Sequence, residues 1–291
     1  MTLPRVFIPD PIHADGIARL GAHFTVDAPD SKDDATRRQC FASADAVIVR
    51  NLGIDAALMD NSPRLKVIAK HGAGVDNIDI PAATARGIVV ASVPGGNADA
   101  VAEATVAMML AALRRVPEVH GLVTGGRYAA RWELQFEQLL DRTLGLVGIG
   151  NIGARVARIC AEGFRMRVLA YDPALPEAAV RERGAEKVED LTKLLAASDA
   201  VSLHLPLTAE TRHIIGRREL KAMKPTAVLV NAARGPLIDE AALAEALHDR
   251  QIAGAALDVF EVEPPSPDNP ILNAPNVVLS PHTAGNTELL F

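Results

Sequence analysis

The sequence predicts an α/β fold of two doubly wound domains, each with a parallel sheet covered by helices on both faces, and a cleft between the domains. Short β-branched runs alternate with helical patterns along the chain, which implies parallel strands joined by right-handed crossovers. With 291 residues, the chain exceeds the size at which one hydrophobic core keeps growing. A loop rich in glycine and proline at 92–97 divides the alternating series in two.

The predicted domain boundary lies after this loop, so that residues 1–97 form one domain and residues 98–285 form the other. Residues 286–291 are expected to return toward the first domain as a short stub. A long helix is expected at 98–114, where apolar residues recur at helical spacing. Strands are predicted at 5–8, 46–49, 66–69 and 88–91 in the first domain, and at 143–147, 167–171, 200–203, 227–231, 254–258 and 277–279 in the second.

Composition and charge argue against several classes of protein. Hydrophobic residues make up 49% and charged residues 23% of the chain, which is ordinary for a folded globular protein. A formal net charge of −6 gives no basic surface for a nucleic acid. Residues 1–11 lack the features of a signal peptide and the apolar run 104–113 is too short to cross a bilayer, so we expect a cytoplasmic protein without a membrane partner.

The two cysteines give no sign of a metal site. Cys40 and Cys160 form neither a C-x-x-C pair nor a metal-ligand spacing, and each lies in a segment with the pattern of an amphipathic helix. We expect both to be small buried hydrophobic residues, and we expect no bound metal.

A glycine-rich motif lies in the second predicted domain. Residues 148–153, Gly-Ile-Gly-Asn-Ile-Gly, follow a predicted strand and open a predicted helix. In this pattern the first glycine permits a tight turn, the second lets the backbone approach a pyrophosphate, and the third allows close helix packing. Asp172 ends the next strand, 19 residues past the last glycine (172 − 153). A carboxylate at this distance binds the adenosine ribose and repels a 2′-phosphate, so the sequence predicts a Rossmann-type domain that prefers NAD to NADP.

Three further predicted strands are followed by polar residues: Arg234, Glu263 and His282. An arginine offers a planar fork for a carboxylate, a histidine exchanges a proton near neutral pH, and an acid beside that histidine favours its protonated form. Taken singly, such residues are more often solvated or structural than catalytic. Together they are what the reduction of a 2-oxo acid requires, so we take them as the candidate catalytic group.

On these motifs the chain resembles the D-isomer-specific 2-hydroxyacid dehydrogenase family over nearly its whole length. The catalytic arginine of that family matches Arg234 in the string Asn-Ala-Ala-Arg-Gly, and its paired acid and proton donor match Glu263 and His282. The resemblance implies an NAD-dependent enzyme in which His282 protonates the carbonyl oxygen while hydride reaches C2. Arg234 would anchor the substrate carboxylate and polarise the carbonyl, and Glu263 would orient the imidazole.

The resemblance also implies binding residues in both domains. Residues 70–79 resemble the loop whose backbone N–H groups hold the substrate carboxylate, around Ala73, Gly74 and Val75. Asp258 is expected to bond the nicotinamide carboxamide. The other positions expected to line the cofactor are Gly148, Gly150, Asn151, Ile152, Gly153, Asp172, Leu205, Pro206, Leu207, Thr208, Thr211, Ala232, His282 and Gly285.

Several basic side chains lie near the predicted carboxylate loop. Arg50 follows one strand, and Lys70 and His71 follow another. In phosphoglycerate-type members of the family, basic residues occupy similar places. A substrate with a second acidic group, such as a phosphate, sulfonate or carboxylate, is therefore one hypothesis. The alternative is that these side chains are only solvated.

Two features bear on assembly. Residues 116–141, with Trp132 and Phe136, resemble the arm by which family members dimerise, so a homodimer is expected; core filling is the alternative for Trp132. Family members usually continue into a C-terminal helix, whereas residues 288–291, which Asn286 or Thr287 could cap, supply little more than one helical turn. A truncated or weakly active chain, or one completed by oligomer contacts, is expected on this ground.

Two other functions compete with the enzyme. The first is an NAD(H)-responsive interaction protein, like the transcriptional corepressors of the same family; the absence of an extended linker or tail outside the two predicted domains favours the enzyme. The second is a formate dehydrogenase, but that related group has glutamine where this chain has Glu263.

Overall fold

A computed structural model describes residues 2–29 and 33–287 of the chain, without the side chain of residue 34. The chain forms two compact units, Met1–Asn97 together with Asn286, and Ala98–Gly285. Each unit contains one sheet in which all strand pairs are parallel. The predicted fold class, with two parallel-sheet α/β domains, is confirmed. The helical turn predicted near the chain end, at 288–291, lies outside the described residues.

The first unit is a five-stranded sheet with the strand order β2-β1-β3-β4-β5. Its strands are β1 (Arg5–Phe7), β2 (Thr25–Asp27), β3 (Ala46–Val49), β4 (Val67–Lys70) and β5 (Val89–Ala91), and its helices are α1 (Ala14–Gly21), α2 (Asp34–Ser43), α3 (Ala56–Asp60) and α4 (Ile80–Ala85). Aspartates cap three of these helices: the side chain of Asp33 accepts from the Thr36 N–H at α2, that of Asp55 from the Leu58 N–H at α3, and that of Asp79 from the Ala82 N–H at α4.

The second unit is a seven-stranded sheet with the strand order β12-β11-β10-β9-β6-β7-β8. Its strands are β6 (Thr143–Val147), β7 (Arg167–Tyr171), β8 (Glu186–Lys187), β9 (Ala200–Leu203), β10 (Val228–Asn231), β11 (Gly254–Leu257) and β12 (Val277–Leu279). Its helices are α5 (Ala98–Leu113), α6 (Val116–Thr124), α7 (Asn151–Phe164), α8 (Glu177–Glu182), α9 (Leu191–Ala197), α10 (Arg217–Ala222) and α11 (Glu240–His248), with 3-10 turns at Tyr128–Glu133, Gly235–Leu237 and Pro270–Asn273.

The centre of the second sheet is buried on both faces. Every residue of β9, β10 and β11 is buried, and the apolar runs that made these segments predictable are the ones a sheet covered on two sides requires. Leu144 and Leu146 of β6 are fully buried, as is Val156 of α7. Burying one such aliphatic side chain stabilises the fold by about 1.5–3 kcal/mol. The sheet is therefore a rigid base for the loops that follow its strands.

The strands β2 and β8 were missed by the sequence prediction. Both lie at a sheet edge and are short, and β8 consists of two charged residues, Glu186 and Lys187. Such edge strands carry no apolar pattern, because charge at an edge prevents pairing with another chain. The predicted strands are found with ends that differ by at most one residue. Cys160 is fully buried, as expected, whereas Cys40 is only partly buried.

No helix in the described ranges combines the length and the apolar content that crossing a membrane requires.

Candidate active site

The predicted site residues of the second unit lie at the carboxyl ends of neighbouring parallel strands. From β6 the chain proceeds to β7 and β8 on one side, whereas β9 to β12 lie on the other side. The strand order therefore reverses between β6 and β9, and open parallel sheets bind ligands outside the strand ends at such a reversal. The glycine-rich loop follows β6, Asp172 follows β7, and Arg234 follows β10.

The glycine-rich loop has the geometry that a dinucleotide requires. Gly148 has φ +92°, in the left-handed region that favours glycine, and a Cβ there would lie 2.8 Å from the backbone of His204. A Cβ on Gly153 would lie 2.6 Å from the Gly148 carbonyl oxygen, so this glycine allows close packing of α7. A Cβ on Gly150 would meet nothing within 4 Å. The backbone is therefore open to an approaching phosphate at the position where the motif needs it.

The first turn of α7 adds to this fit. Gly150 precedes the helix and supplies no side-chain hydrogen bond to it, and Asn151 and Ile152 form its first turn. The N–H groups at the start of a helix are unpaired within the helix and favour an anion. The loop and the helix start together could hold the pyrophosphate of a dinucleotide.

Asp172 is buried and tied to the glycine-rich loop. Its Oδ2 accepts a hydrogen bond from the Ile149 N–H at 3.0 Å, and its Oδ1 accepts one from the Ala174 N–H at 3.1 Å. Only 7% of the residue is exposed. The structure therefore fixes a carboxyl group beside the loop, where the sequence predicts contact with a ribose.

A partly buried histidine lies against the glycine-rich loop. His204 follows β9, its Nε2 lies 3.0 Å from the Ser202 hydroxyl, and its Nδ1 has no hydrogen-bond partner among the described residues. Burial lowers the pKa of His204 to about 4, so the ring is neutral at neutral pH. His204 was not among the residues singled out in the sequence, because no motif distinguishes it from an ordinary core residue.

The segment after β9 forms a hydrogen-bonded turn. The Thr211 hydroxyl donates to the Pro206 carbonyl at 2.8 Å and accepts from the Thr208 N–H at 2.7 Å. Leu205 is buried and precedes the turn. These contacts fix the backbone of the segment predicted to line the cofactor, which also includes Leu207.

Arg234 lies in a turn that Asn231 shapes. The Asn231 side chain accepts from the Ala233 N–H at 3.0 Å and donates to the Arg234 carbonyl at 2.8 Å. A Cβ on Gly235 would lie 1.9 Å from the Phe260 carbonyl group, so only glycine allows this turn to pack directly on the loop after β11. In the string Asn-Ala-Ala-Arg-Gly, which includes Ala232, these contacts explain the asparagine and the glycine on either side of the arginine.

Asp258 organises the turn that carries His282. Its backbone carbonyl accepts from the His282 N–H at 2.7 Å, and its two carboxyl oxygens accept from the Thr283 N–H at 2.8 Å and the Ala284 N–H at 2.9 Å. The residue is 1% exposed. The observed role of this side chain is therefore to hold the turn that ends at Gly285, and its expected bond to a carboxamide stays a prediction.

Glu263 and His282 form a hydrogen-bonded pair. The distance from His282 Nδ1 to Glu263 Oε2 is 2.7 Å, and Glu263 Oε1 accepts from the Phe260 N–H at 3.1 Å. Burial raises the pKa of Glu263, but the hydrogen bond and charge of His282, the Phe260 N–H and the charge of Arg234 outweigh it and leave that pKa below its usual range. An ionised carboxylate can only accept, so Nδ1 carries the hydrogen and Nε2 is left for proton exchange.

The backbone of His282 is strained. Its φ is +57°, a left-handed conformation that costs a non-glycine residue about 1–2 kcal/mol. The three hydrogen bonds that Asp258 accepts from the backbone of this turn stabilise the conformation. Strain of this kind clusters at functional sites. The strand ends therefore bring Glu263 and His282 into contact, with Arg234 near enough for its charge to lower the pKa of Glu263.

In the first unit, the predicted substrate residues are tied to one another. The Lys70 ammonium donates to the Arg50 carbonyl oxygen and, at 2.8 Å, to Asn77 Oδ1. The Arg50 guanidinium donates to Asn286 Oδ1 at 2.6 Å, and the Asp10 carboxyl group accepts from the Arg50 N–H at 2.9 Å. These contacts hold the ends of β3 and β4 together, which gives Lys70 an internal role that the sequence did not indicate.

The loop after β4 bends sharply at Gly72, which has φ +143°. Ala73 is exposed, Gly74 and Val75 are partly exposed, and so the segment offers backbone N–H groups near the surface of its unit. Burial and the charges of Arg50 and Lys70 lower the pKa of His71. The imidazole of His71 is therefore harder to protonate than a solvated one.

The segment Val116–Asp141, called the arm below, exposes a row of apolar side chains. Trp132 is 80% exposed and Tyr128 is 62% exposed, so the alternative that Trp132 fills the core is wrong. The Arg131 guanidinium lies over both rings, 4.3 Å from the centre of Tyr128 and 4.6 Å from that of Trp132. This cation–π stack keeps the aromatic surface ordered.

Comparisons with known proteins agree with this geometry. Residues 106–284 match the family model described as the NAD-binding domain of D-isomer specific 2-hydroxyacid dehydrogenases. The chain is 44% identical to a glyoxylate reductase of Korarchaeum cryptofilum over 97% of this chain and 86% of that protein. It is 40% identical to a D-3-phosphoglycerate dehydrogenase of Methanocaldococcus jannaschii over 98% of this chain, but spans only 54% of that protein.

A solved structure is also similar over almost all of the chain. It is that of an NADPH-dependent glyoxylate/hydroxypyruvate reductase from Sinorhizobium meliloti in complex with NADP and malonate. The match has a TM-score of 0.86 and 32% identity, and it covers 99% of this chain and 89% of the other.

Proposed function

The chain belongs to the D-isomer-specific 2-hydroxyacid dehydrogenase family, and on that premise we propose that it reduces a small 2-oxo acid to the D-2-hydroxy acid with NADH. The observation that carries the proposal is the hydrogen bond between Glu263 and His282, together with the nearby positive charge of Arg234, which lowers the pKa of Glu263. The nicotinamide, when bound, supplies the hydride that reaches C2. The task of these side chains is then to orient the carbonyl and to supply the proton.

In the proposed reduction, His282 donates a proton from Nε2 to the carbonyl oxygen. Glu263 holds Nδ1 and stabilises the imidazolium, so that the acid form is available; positioned proton transfer is worth roughly 10²- to 10⁴-fold in rate. Arg234 binds the carboxylate and polarises the carbonyl through its planar fork. In the reverse direction, His282 accepts the proton as the base.

In the first unit, the backbone N–H groups around Ala73, Gly74 and Val75 are proposed to bind a substrate carboxylate. We place glyoxylate and hydroxypyruvate ahead of phosphorylated substrates. Two observations support this order: the Lys70 ammonium already donates two hydrogen bonds within its unit, and the pKa of His71 is lowered. The relative with 44% identity, matched over most of its length, is named glyoxylate reductase.

The test is NADH oxidation at pH 7 with glyoxylate, hydroxypyruvate, phosphohydroxypyruvate, oxaloacetate and sulfopyruvate, with Arg234→Ala as the control. We expect turnover on glyoxylate or hydroxypyruvate that is lost in the control. Saturation by phosphohydroxypyruvate at much lower concentration would overturn the order of substrates. NADH binding without any turnover would instead indicate the NAD(H)-responsive interaction protein.

The preference for NAD is proposed to depend on the charge of Asp172. Asp172→Asn should raise the ratio of kcat/KM with NADPH to that with NADH about tenfold, because the repulsion of a 2′-phosphate is removed. The matched control is Asp199→Asn. The Asp199 side chain also accepts a hydrogen bond from a backbone N–H, that of Thr143 at 2.9 Å. Asp199 precedes β9, however, and so lies at the amino ends of the strands, whereas Asp172 lies at the carboxyl ends. A ratio that is unchanged in Asp172→Asn would contradict the assignment.

We also propose that a second copy of the chain covers the arm. Six apolar side chains of this segment are exposed: Val116, Val123, Tyr128, Trp132, Phe136 and Leu140. Enrichment in aromatic side chains is typical of protein interfaces. A homodimer that buries the arm accounts for this surface.

A further inference from the structure

The loop after β11, called the acid loop below and comprising residues 259–263, is held by a buried carboxyl group from another element. Glu240 is the first residue of α11 and is 7% exposed. Its Oε1 accepts from the Glu261 N–H at 2.5 Å, and its Oε2 accepts from the Asn269 side-chain amide at 2.6 Å. A buried acidic group normally requires such donors, and here both come from the segment that follows β11.

Capping of α11 does not explain why the Glu240 side chain is buried against the acid loop. The helix is capped by Asp239, whose side chain accepts from the Ala242 N–H at 2.9 Å. Glu240 is therefore not required as the cap, and its side chain reaches away from the helix to the acid loop. Burying a glutamate costs free energy that an alanine or leucine at this position would avoid. The presence of a glutamate at position 240 is thus better explained by the hydrogen bonds that its carboxyl group accepts from the segment after β11.

What it holds is the turn that carries the proposed catalytic glutamate. The N–H of Phe260 donates to Glu263 Oε1, and the next N–H along the chain, that of Glu261, donates to Glu240. Two consecutive amides of one turn are thus fixed by two carboxyl groups. The other oxygen of Glu263 receives the hydrogen bond of His282. A shift of the turn would therefore move the Glu263 carboxylate relative to the imidazole.

We propose that Glu240 is a positioning residue for the Glu263–His282 pair, acting through the backbone of the acid loop. The inference rests on the roles proposed above for Glu263 and His282. Glu240 contacts the loop through the Glu261 N–H, whereas the Glu261 side chain is paired with His213 at 2.5 Å. The two contacts of Glu261 can therefore be separated by mutation.

The test compares Glu240→Gln with Glu245→Gln. The amide of Glu240→Gln must turn its NH2 group toward one of two donors, the Glu261 N–H or the Asn269 amide, so one hydrogen bond of the turn is lost. Glu245 lies on the same helix, is half-exposed and pairs with Arg217, so its change is chemically matched but does not touch the acid loop. Glu240→Asp, which keeps the acid but shortens its reach, is a second variant in case Glu240→Gln does not fold.

Two readouts are needed, of which one does not depend on turnover. The first is the NMR titration of the His282 imidazole, assigned with His282→Asn; we expect Glu240→Gln to shift its midpoint to lower pH by about half a unit or more, in the direction of Glu263→Gln. The second is kcat, which we expect to fall about tenfold at unchanged NADH affinity. For Glu240→Asp, we expect a titration midpoint and a kcat between those of Glu240→Gln and those of the wild-type protein. For Glu245→Gln, we expect both quantities to equal the wild-type values.

The outcomes distinguish this inference from the proposed function. A shifted titration in a chain that turns over no 2-oxo acid would support the positioning role while the proposed function fails. A titration midpoint and a kcat that are both unchanged in folded Glu240→Gln and Glu240→Asp would overturn the positioning role, whatever the substrate. A loss of thermal stability with both readouts unchanged would likewise assign Glu240 a purely structural role.

Discussion

Arg234→Lys is expected to lower kcat/KM by roughly 100-fold or more while leaving the affinity for NADH nearly unchanged. Lysine keeps the charge but loses the planar fork that binds a carboxylate through two parallel hydrogen bonds. Because the change affects the oriented substrate and its transition state, the loss should appear in kcat as well as in KM. Steady-state kinetics on the preferred 2-oxo acid, with NADH binding followed by fluorescence, measures both quantities.

The structure explains why this variant should remain folded. The turn is shaped by the Asn231 side chain and by the packing of Gly235, while the Arg234 guanidinium adds a hydrogen bond to the Ala233 carbonyl at 2.7 Å, an acceptor that a lysine ammonium can also use. Arg167→Lys is the matched control. The Arg167 guanidinium donates two hydrogen bonds to the Glu186 carboxylate, but Arg167 is exposed and lies at the amino end of β7, away from the carboxyl ends of the strands. Turnover of Arg234→Lys close to that of Arg167→Lys would refute the role of Arg234.

The fold was predictable because its central strands are buried on both faces. A strand such as β11 is apolar throughout because it is covered on both faces, and its short length distinguishes it from a buried helix. The edge strands lacked the signal for the same physical reason. β2 and β8 are short, and residues such as Glu186 and Lys187 remain hydrated at the edge.

The candidate site was predictable where side chains follow strands. Parallel strands end at one edge, so polar residues after β10, β11 and β12 have to lie near each other whatever the loops do. Arg234, Glu263 and His282 are examples. The position of the strand ends does not predict which of these side chains form hydrogen bonds with each other. The family resemblance supplied that expectation for Glu263 and His282.

The supporting residues were not predictable, because their partners are backbone groups. Nothing in the sequence distinguishes Glu240 from any other glutamate at the start of a helix, yet it holds the acid loop. Asp258 was assigned to the cofactor by resemblance, whereas its two oxygens cap the turn of His282. Lys70 similarly donates to the Arg50 carbonyl oxygen. Such contacts depend on the path of the main chain, which only the folded structure supplies.

His282→Asn is expected to lower kcat by roughly 10²- to 10⁴-fold, because no group remains at this position to exchange a proton. Asparagine is the informative substitution. At φ +57°, it tolerates the left-handed conformation better than other non-glycine residues, and its amide can still donate to Glu263. The turn held by Asp258 should therefore persist, and the loss can be attributed to proton transfer. Single-turnover oxidation of bound NADH would measure the chemical step directly.

The chain itself offers a matched control in His213. This residue also has a left-handed backbone, with φ +53°, and its Nε2 lies 2.5 Å from a glutamate, Glu261. His213→Asn repeats the substitution at a left-handed backbone position and removes an imidazole that lies beside a glutamate, so a few-fold effect at most is expected there. Equal losses in His213→Asn and His282→Asn would mean that strain and pairing, rather than proton exchange, account for the effect.

Glu263→Gln separates the orientation of the imidazole from proton transfer. Because the pKa of Glu263 lies below its usual range, its carboxylate is ionised throughout the working pH range and favours the protonated imidazole. The loss of this carboxylate should therefore shift the fall of reductive activity to lower pH, which a pH profile of kcat measures.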